Sequence, residues 1–165
     1  MDVKIIGARG KIPDLDKAIK KLEKTYGGKK TAVQLMRADR VFGELHIRSA
    51  AEHASRAVEQ GRNRSDDIGV ELILYAAAER QITVAIDKLG VRNDTDEIAI
   101  AIIGKVEENE LLAMLGLQRD DAVLEPSQEK DYRIFGITDE ELASVGEERL
   151  QDLVLERVAL SELDR

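Results

Sequence analysis

The order of hydrophobic and polar positions along the chain predicts strands and helices in turn. Apolar runs at 3–8, 31–36 and 97–103 predict three strands. The last run reads EIAIAII and is apolar on both faces, which is typical of a central strand covered on both sides. Residues 132–136 predict another short strand, and the polar segment 118–131 predicts a loop or a weak edge strand.

Apolar positions at helical spacing predict the helices. The first helix places Leu15, Ile19 and Leu22 on one stripe and ends at Gly27-Gly28. The segment 68–78 is apolar on nearly every side, which is typical of a helix buried in the middle of a domain. The other helices are predicted at 47–60, 82–89, 109–115 and 147–163, with a short helix after the capping box at 138–141.

The helix ends are predicted from short local signals. His46 is expected just before the helix at 47–60, and Asn63, Ser65 or Asp66 is expected to cap the buried helix. Leu89-Gly90-Val91 predicts a Schellman-type end for the helix at 82–89.

No linker, repeat or low-complexity tract divides the chain. We therefore predict one α/β domain over residues 1–165, with helices flanking a mixed β-sheet. The chain has no cysteine, and no apolar run approaches the roughly 20 residues that span a bilayer. The first residues lack the features of a signal peptide. A cytoplasmic protein without a membrane partner is expected.

Charge and motif content argue against an enzyme. The net charge of −8 disfavours broad nucleic-acid binding but leaves room for a small basic site. GARGK at 7–11 lacks the first glycine and the hydroxyl of a phosphate-binding loop. His46 and His53 stand seven residues apart, about 10.5 Å along a helix, which is too far to share a metal. Both are expected at the surface or its boundary. No catalytic residue, metal or cofactor is predicted.

The segment 44–91, ELHIRSAAEHASRAVEQGRNRSDDIGVELILYAAAERQITVAIDKLGV, carries a family resemblance. An alanine-rich helix ends at Gly61. It is followed by Glu71 to Leu74, by Gln81-Ile82 and by a helix stop at Lys88 to Val91. This pattern resembles the small kinase-binding subunit of the KEOPS complex (the TPRKB family) in its archaeal form. The resemblance is clearest over about 41–105.

The resemblance implies a noncatalytic role in tRNA processing. KEOPS makes threonylcarbamoyladenosine next to the anticodon, and a separate transferase subunit carries out the chemistry. The subunit resembled here docks on the small atypical kinase of the complex, reaches the transferase through that kinase, and grips the CCA end of tRNA. An alternative is a regulator that acts on the kinase by protein contact alone. A third is an uncharacterised enzyme that uses surface carboxylates.

The resemblance directs attention to two groups of residues. The predicted tRNA-binding residues flank the buried helix: Arg56, Arg62, Asn63, Arg64, Arg80 and Gln81. Exposed amides at the helix start are expected to favour a phosphate, and arginine planes or Tyr75 are expected to stack on bases. The kinase contact is expected on surplus apolar surface of the last helix, at Leu150, Leu153, Val154 and Val158. The competing interpretation of the first group is that it forms ordinary surface ion pairs. The competing interpretation of the second group is that it packs in the core.

Overall fold

The computed structural model describes residues 2–164, in which one four-stranded sheet is covered by seven α-helices. The strands are β1 (Val3–Arg9), β2 (Ala32–Arg37), β3 (Glu97–Ile103) and β4 (Gln118–Arg119). The helices are α1 (Leu15–Tyr26), α2 (Glu44–Glu59), α3 (Ile68–Ala76), α4 (Ile82–Leu89), α5 (Glu108–Leu115), α6 (Asp139–Val145) and α7 (Leu150–Ser161). The predicted α/β class is confirmed.

The sheet has the order β2-β3-β1-β4, which makes β3 an inner strand as predicted. Ile100 of β3 lies opposite Ile6 of β1 on one side and Leu35 of β2 on the other. All three pairings among the described residues are antiparallel, so the predicted mixed sheet is wrong in this detail. Hydrophobic periodicity marks a strand but does not encode its direction, which depends on pairings between distant segments.

Helices cover both faces of the sheet, and two apolar clusters result. On one face Ile6 of β1 and the isoleucines at 98, 100 and 102 of β3 pack with Leu15 and Leu22 of α1 and with the leucines of α5. On the other face Ala99 and Ala101 of β3 join α2, α3, α4 and α7. Helix α2 contributes its small side chains to this cluster, which are Ala50, Ala51, Ala54 and Ala57. Small residues at the contact allow the helix backbone to lie close to the sheet.

The two histidines are buried, so their predicted positions at the surface or its boundary are wrong. Helix α2 begins at Glu44, which places His46 inside its first turn. The backbone N–H of Phe42 donates to Nδ1 of His46 at 3.1 Å, and Nε2 of the ring donates to the carbonyl of Ala76 at 2.8 Å. Burial lowers the pKa of His46 to about 4. The ring therefore ties the start of α2 to the end of α3 as a neutral group.

Two other local predictions are wrong. Residues 132–136 do not form a strand, since Tyr132–Phe135 is a 3-10 turn that ends at a left-handed Gly136. Gly90 ends α4 in an extended conformation rather than in the left-handed one of a Schellman motif. Half of the predicted capping box is present: Thr138 accepts the backbone N–H of Glu141, but the carboxylate of Glu141 pairs with Arg157. Among the residues that the structure describes, no helix is long and apolar enough to cross a membrane.

Candidate functional site

Residues 61–67 connect α2 to α3, and we call this connection the arginine loop. Gly61 takes a left-handed conformation with φ of 67° directly after the helix. Its backbone N–H donates to Val58, and that of Arg62 donates to Ala57 at 2.8 Å. These bonds form a Schellman motif, and they turn the chain sharply out of α2. Arg62 and Arg64 follow this turn at the surface.

The buried carboxylate of Glu71 anchors the arginine loop to α3. Glu71 belongs to α3 and is fully buried. Its Oε2 accepts the backbone N–H groups of Arg64 at 3.0 Å and of Ser65 at 3.1 Å. The side-chain amide of Asn63 donates to the carbonyl of Ser65 at 3.0 Å. Asn63 therefore shapes the loop, and the loop has a defined geometry although its arginines are exposed.

The start of α3 offers fewer free amides than predicted. Asp67, rather than Asn63, Ser65 or Asp66, caps the helix, because its Oδ1 accepts the N–H groups of Gly69 at 2.8 Å and Val70 at 3.2 Å. The predicted phosphate site on exposed helix amides is wrong, since Asp67 accepts two of these N–H groups and the carbonyl of Gly28 accepts that of Ile68. The arginine side chains remain the groups that can meet an anion in this loop.

A carboxylate near the end of the chain contacts these cations. Oε1 of Glu162 lies 3.3 Å from Nη2 of Arg62, and Oε2 lies 2.8 Å from Nδ1 of His53. Nη2 of Arg56 lies 3.0 Å from the same His53 nitrogen. Burial opposes ionisation of Glu162, but attraction to His53, Arg62 and Arg56 outweighs it and lowers the pKa of Glu162. Arg62 therefore already has a carboxylate partner within the chain.

Arg80 and Gln81 lie at the far end of α3. Nδ1 and Nε2 of His46 join the start of α2 to the end of α3, so these two helices run antiparallel. The nine residues of α3 span about 13 Å, and they separate Arg80 and Gln81 from the arginine loop. The six predicted residues therefore do not form one compact site.

Tyr75 and the four side chains predicted on the last helix are buried. Tyr75 is fully buried and stacks on His53 with ring centroids 5.3 Å apart, so it offers no open face to a base. The apolar side chains of α7 pack in the core and are not surplus surface: Leu150, Leu153, Val154 and Val158. The expectation that they are exposed is wrong. The exposed apolar side chains at this end of the chain are Leu160 and Leu163.

An apolar cavity adjoins the arginine loop. It has a volume of about 150 Å³ and lies between α1, β2, α3 and α4. Asp67 forms part of its wall, so cavity and loop share a residue. Cavities of about this size hold a single aromatic ring. Most of the lining is aliphatic, and it includes Ile19, Leu22, Val33, Val70, Ile73 and Ile86.

The anchored loop presents two exposed arginines beside an apolar cavity, an arrangement suited to binding. Among the described residues, no group of three His, Asp or Glu residues is placed to hold a metal ion. The family model for kinase binding protein CGI-121 matches residues 13–162, and the chain belongs to this family. The kinase-binding family predicted from residues 44–91 is thereby confirmed over nearly the whole chain. A search of the curated proteins found no match.

Several functional features were missed from the sequence. Glu71 lies in an apolar run, and a lone charged residue in a buried helix is the signal that predicts an anchoring role. Glu162 carries no comparable signal, because its contacts are with residues about one hundred positions earlier in the chain. The cavity is formed by four separate elements and has no motif of its own.

Proposed function

We propose that this chain is a noncatalytic KEOPS subunit that docks on the small atypical kinase and recruits tRNA through its CCA end. Membership of a kinase-binding family supports the kinase contact. The observation that carries the tRNA role is the arginine loop, fixed by Glu71 and adjoining an apolar cavity. A single-stranded RNA end needs cations for its phosphates and an apolar or flat surface for its bases.

The proposed roles follow from position. Arg62 and Arg64 bind phosphates of the RNA end, while Asn63 keeps the loop in shape. Arg56 adds positive charge once Glu162 is displaced. Arg80 and Gln81 lie too far away for the same phosphate and contact a more distant part of the RNA. The cavity beside Asp67 receives one base.

Reversing the charge of the two loop arginines tests this function. We expect Arg62→Glu/Arg64→Glu to weaken binding of tRNA by at least about tenfold, because two phosphate contacts become repulsive. Fluorescence anisotropy with labelled tRNA measures the affinity. The control is Arg133→Glu/Arg149→Glu, which makes the same change in net charge at two exposed arginines outside the loop.

A pull-down with the partner kinase accompanies the binding assay. We expect both double variants to retain the kinase, which shows that they are folded. Equal loss of tRNA affinity in the two variants indicates a nonspecific charge effect and contradicts a loop-centred site. A wild-type protein that binds kinase but no tRNA supports a regulator that acts by protein contact alone.

That alternative has its own structural support. The net charge is −8, and Arg62 already has a carboxylate partner within the chain. A protein-only regulator needs no free cations in the loop. Glu162 is then a structural partner of Arg62 and His53 rather than a substitute for RNA phosphate.

A substitution of Glu162 separates these two interpretations. We expect Glu162→Gln to tighten tRNA binding by about two- to fivefold, because an exposed ion pair worth up to about 1 kcal/mol no longer competes for Arg62. Glu156→Gln is the matched control, since Glu156 lies on α7 and pairs with Arg157 instead. Unchanged or weaker tRNA binding by Glu162→Gln contradicts competition between this carboxylate and RNA.

A further inference from the structure

The lysines of α1 differ from most cations of this acidic chain. Residues 17–30 contain six lysines and one glutamate, although the whole chain carries a net charge of −8. Among the described residues, ten arginines form ion pairs with carboxylates, and so do Lys4, Lys29 and Lys88. No carboxylate of the described chain pairs with any of the four lysines of α1. Four of the unpaired cations therefore lie on one helix.

These four lysines form a stripe along the outer face of α1. Lys17, Lys20, Lys21 and Lys24 follow the i, i+3, i+4, i+7 spacing of a single helix face, and all four are exposed. We call them the lysine stripe. The opposite face of α1 packs on the sheet through Leu15 and Leu22. The helix is thereby held rigidly, and the stripe extends about 10.5 Å along its axis.

The lysine stripe continues to the arginine loop around the free edge of the sheet. Helix α1 ends at Tyr26, and the carbonyl of Gly28 accepts the backbone N–H of Ile68 at 2.9 Å. Lys29 reaches Asp66 of the loop at 3.9 Å. Strand β2 follows this segment and pairs with β3 on one side only. The segment after α1 therefore contacts the loop directly.

The two acidic residues of the loop do not interrupt this continuity. Lys29 faces Asp66, and Asp67 is directed at the amides that begin α3. Both carboxylates thus have positive partners nearby. Lys30 adds another exposed cation without an ion pair in the described chain. Unpaired lysines therefore extend from α1 to Lys30, in the segment that contacts the arginine loop through Lys29 and Asp66.

We propose that the lysine stripe and Lys30 form a second RNA contact, which binds the phosphate backbone of the double-helical part of the tRNA. The proposal rests on the proposed function, since it extends the site of the RNA end to the adjoining duplex. A duplex presents one phosphate per roughly 3.4 Å along each strand. A row of about 10 Å therefore faces about three phosphates. The contact carries no sequence information, because it reaches only the backbone.

Other polyanions fit the stripe less well. A membrane surface normally binds a basic helix whose apolar face enters the lipid, but the apolar face of α1 is covered by the sheet. An acidic peptide matches the charge, but it does not account for the continuity with the arginine loop. The RNA backbone matches both the regular row of charges and its position.

The test uses the whole chain and a hairpin RNA duplex that lacks the CCA end. We expect Lys20→Glu/Lys24→Glu to weaken binding of this duplex by about tenfold, and to lower the slope of log affinity against log salt by about 2. Arg133→Glu/Arg149→Glu makes the same change in net charge and is expected to change the affinity less than twofold. Circular dichroism confirms that the exposed substitutions leave the fold intact.

The outcomes distinguish this proposal from the function on which it rests. If wild type binds intact tRNA and needs Arg62 and Arg64, but Lys20→Glu/Lys24→Glu binds both RNAs normally, only the second contact is wrong. If wild type binds neither RNA, the proposed function itself fails. Polyglutamate that binds as tightly as the duplex, with the same dependence on Lys20 and Lys24, overturns the assignment to RNA.

Discussion

Glu71→Ala is expected to lower the free energy of unfolding by about 2–3 kcal/mol and to weaken tRNA binding. The carboxylate is fully buried and accepts the backbone N–H groups of Arg64 and Ser65. Bonds to a charged acceptor contribute about 1.5–3 kcal/mol each, and part of this is recovered because a buried charge is removed. Without its anchor, the arginine loop loses its fixed geometry. Urea unfolding and tRNA anisotropy measure the two effects.

Glu71→Gln is the matched control for this prediction. Its side-chain carbonyl occupies nearly the same place and accepts the same two N–H groups, so both losses are expected to be smaller than with alanine. Binding measured well below the urea transition separates loop mobility from global unfolding. A Glu71→Ala protein with wild-type stability contradicts the anchoring role. A less stable variant with unchanged tRNA affinity removes the link between loop geometry and binding.

Acidification is expected to destabilise the protein through His46. The pKa of this buried ring is about 4 in the folded chain, compared with about 6.5 for an exposed histidine. Above pH 6.5 the ring is neutral in both states, and its contribution to stability is complete. Below pH 6.5 the unfolded chain binds a proton that the folded chain does not, so the free energy of unfolding falls until about pH 4. The loss between pH 6.5 and 5 is about 2 kcal/mol.

Comparison with His46→Gln isolates this effect. The variant is expected to be less stable at pH 7.5, because its bonds to Phe42 and Ala76 are lost or distorted. Its free energy of unfolding should depend less steeply on pH between 6.5 and 5, since the titrating ring is gone. Every other ionisable group is common to both proteins. Parallel pH curves for the two proteins contradict a neutral, buried His46.

Most helices and strands were predicted from the sequence, because each of these elements is determined largely by residues close to it in the chain. The EIAIAII run predicted the inner strand, and the apolar segment at 68–78 predicted the buried α3. Both histidines were misplaced, because a buried imidazole needs hydrogen-bond partners from other elements. Ala76 supplies the acceptor for His46, and it lies 30 residues further along the chain.

The candidate site was predicted less completely than the fold. The family resemblance identified Arg62 and Arg64, and the structure places both at the surface on an anchored loop. The lysine stripe has a local helical pattern that the sequence displays. The stripe becomes a candidate RNA contact only because its lysines lack carboxylate partners and because Lys29 contacts Asp66 of the arginine loop. Both observations require the folded structure. The role of all these residues in RNA binding stays a prediction.

Recruitment of tRNA through its CCA end is tested by the affinities of the unaltered protein for intact tRNA and for the same tRNA without that end. Both are measured side by side by fluorescence anisotropy at about 0.1 M salt, since phosphate contacts depend strongly on ionic strength. We expect intact tRNA to bind at least about tenfold more tightly, with weak residual binding of the truncated tRNA. Equal affinities, or no binding of either tRNA by protein that still binds the kinase, contradict recruitment through the CCA end.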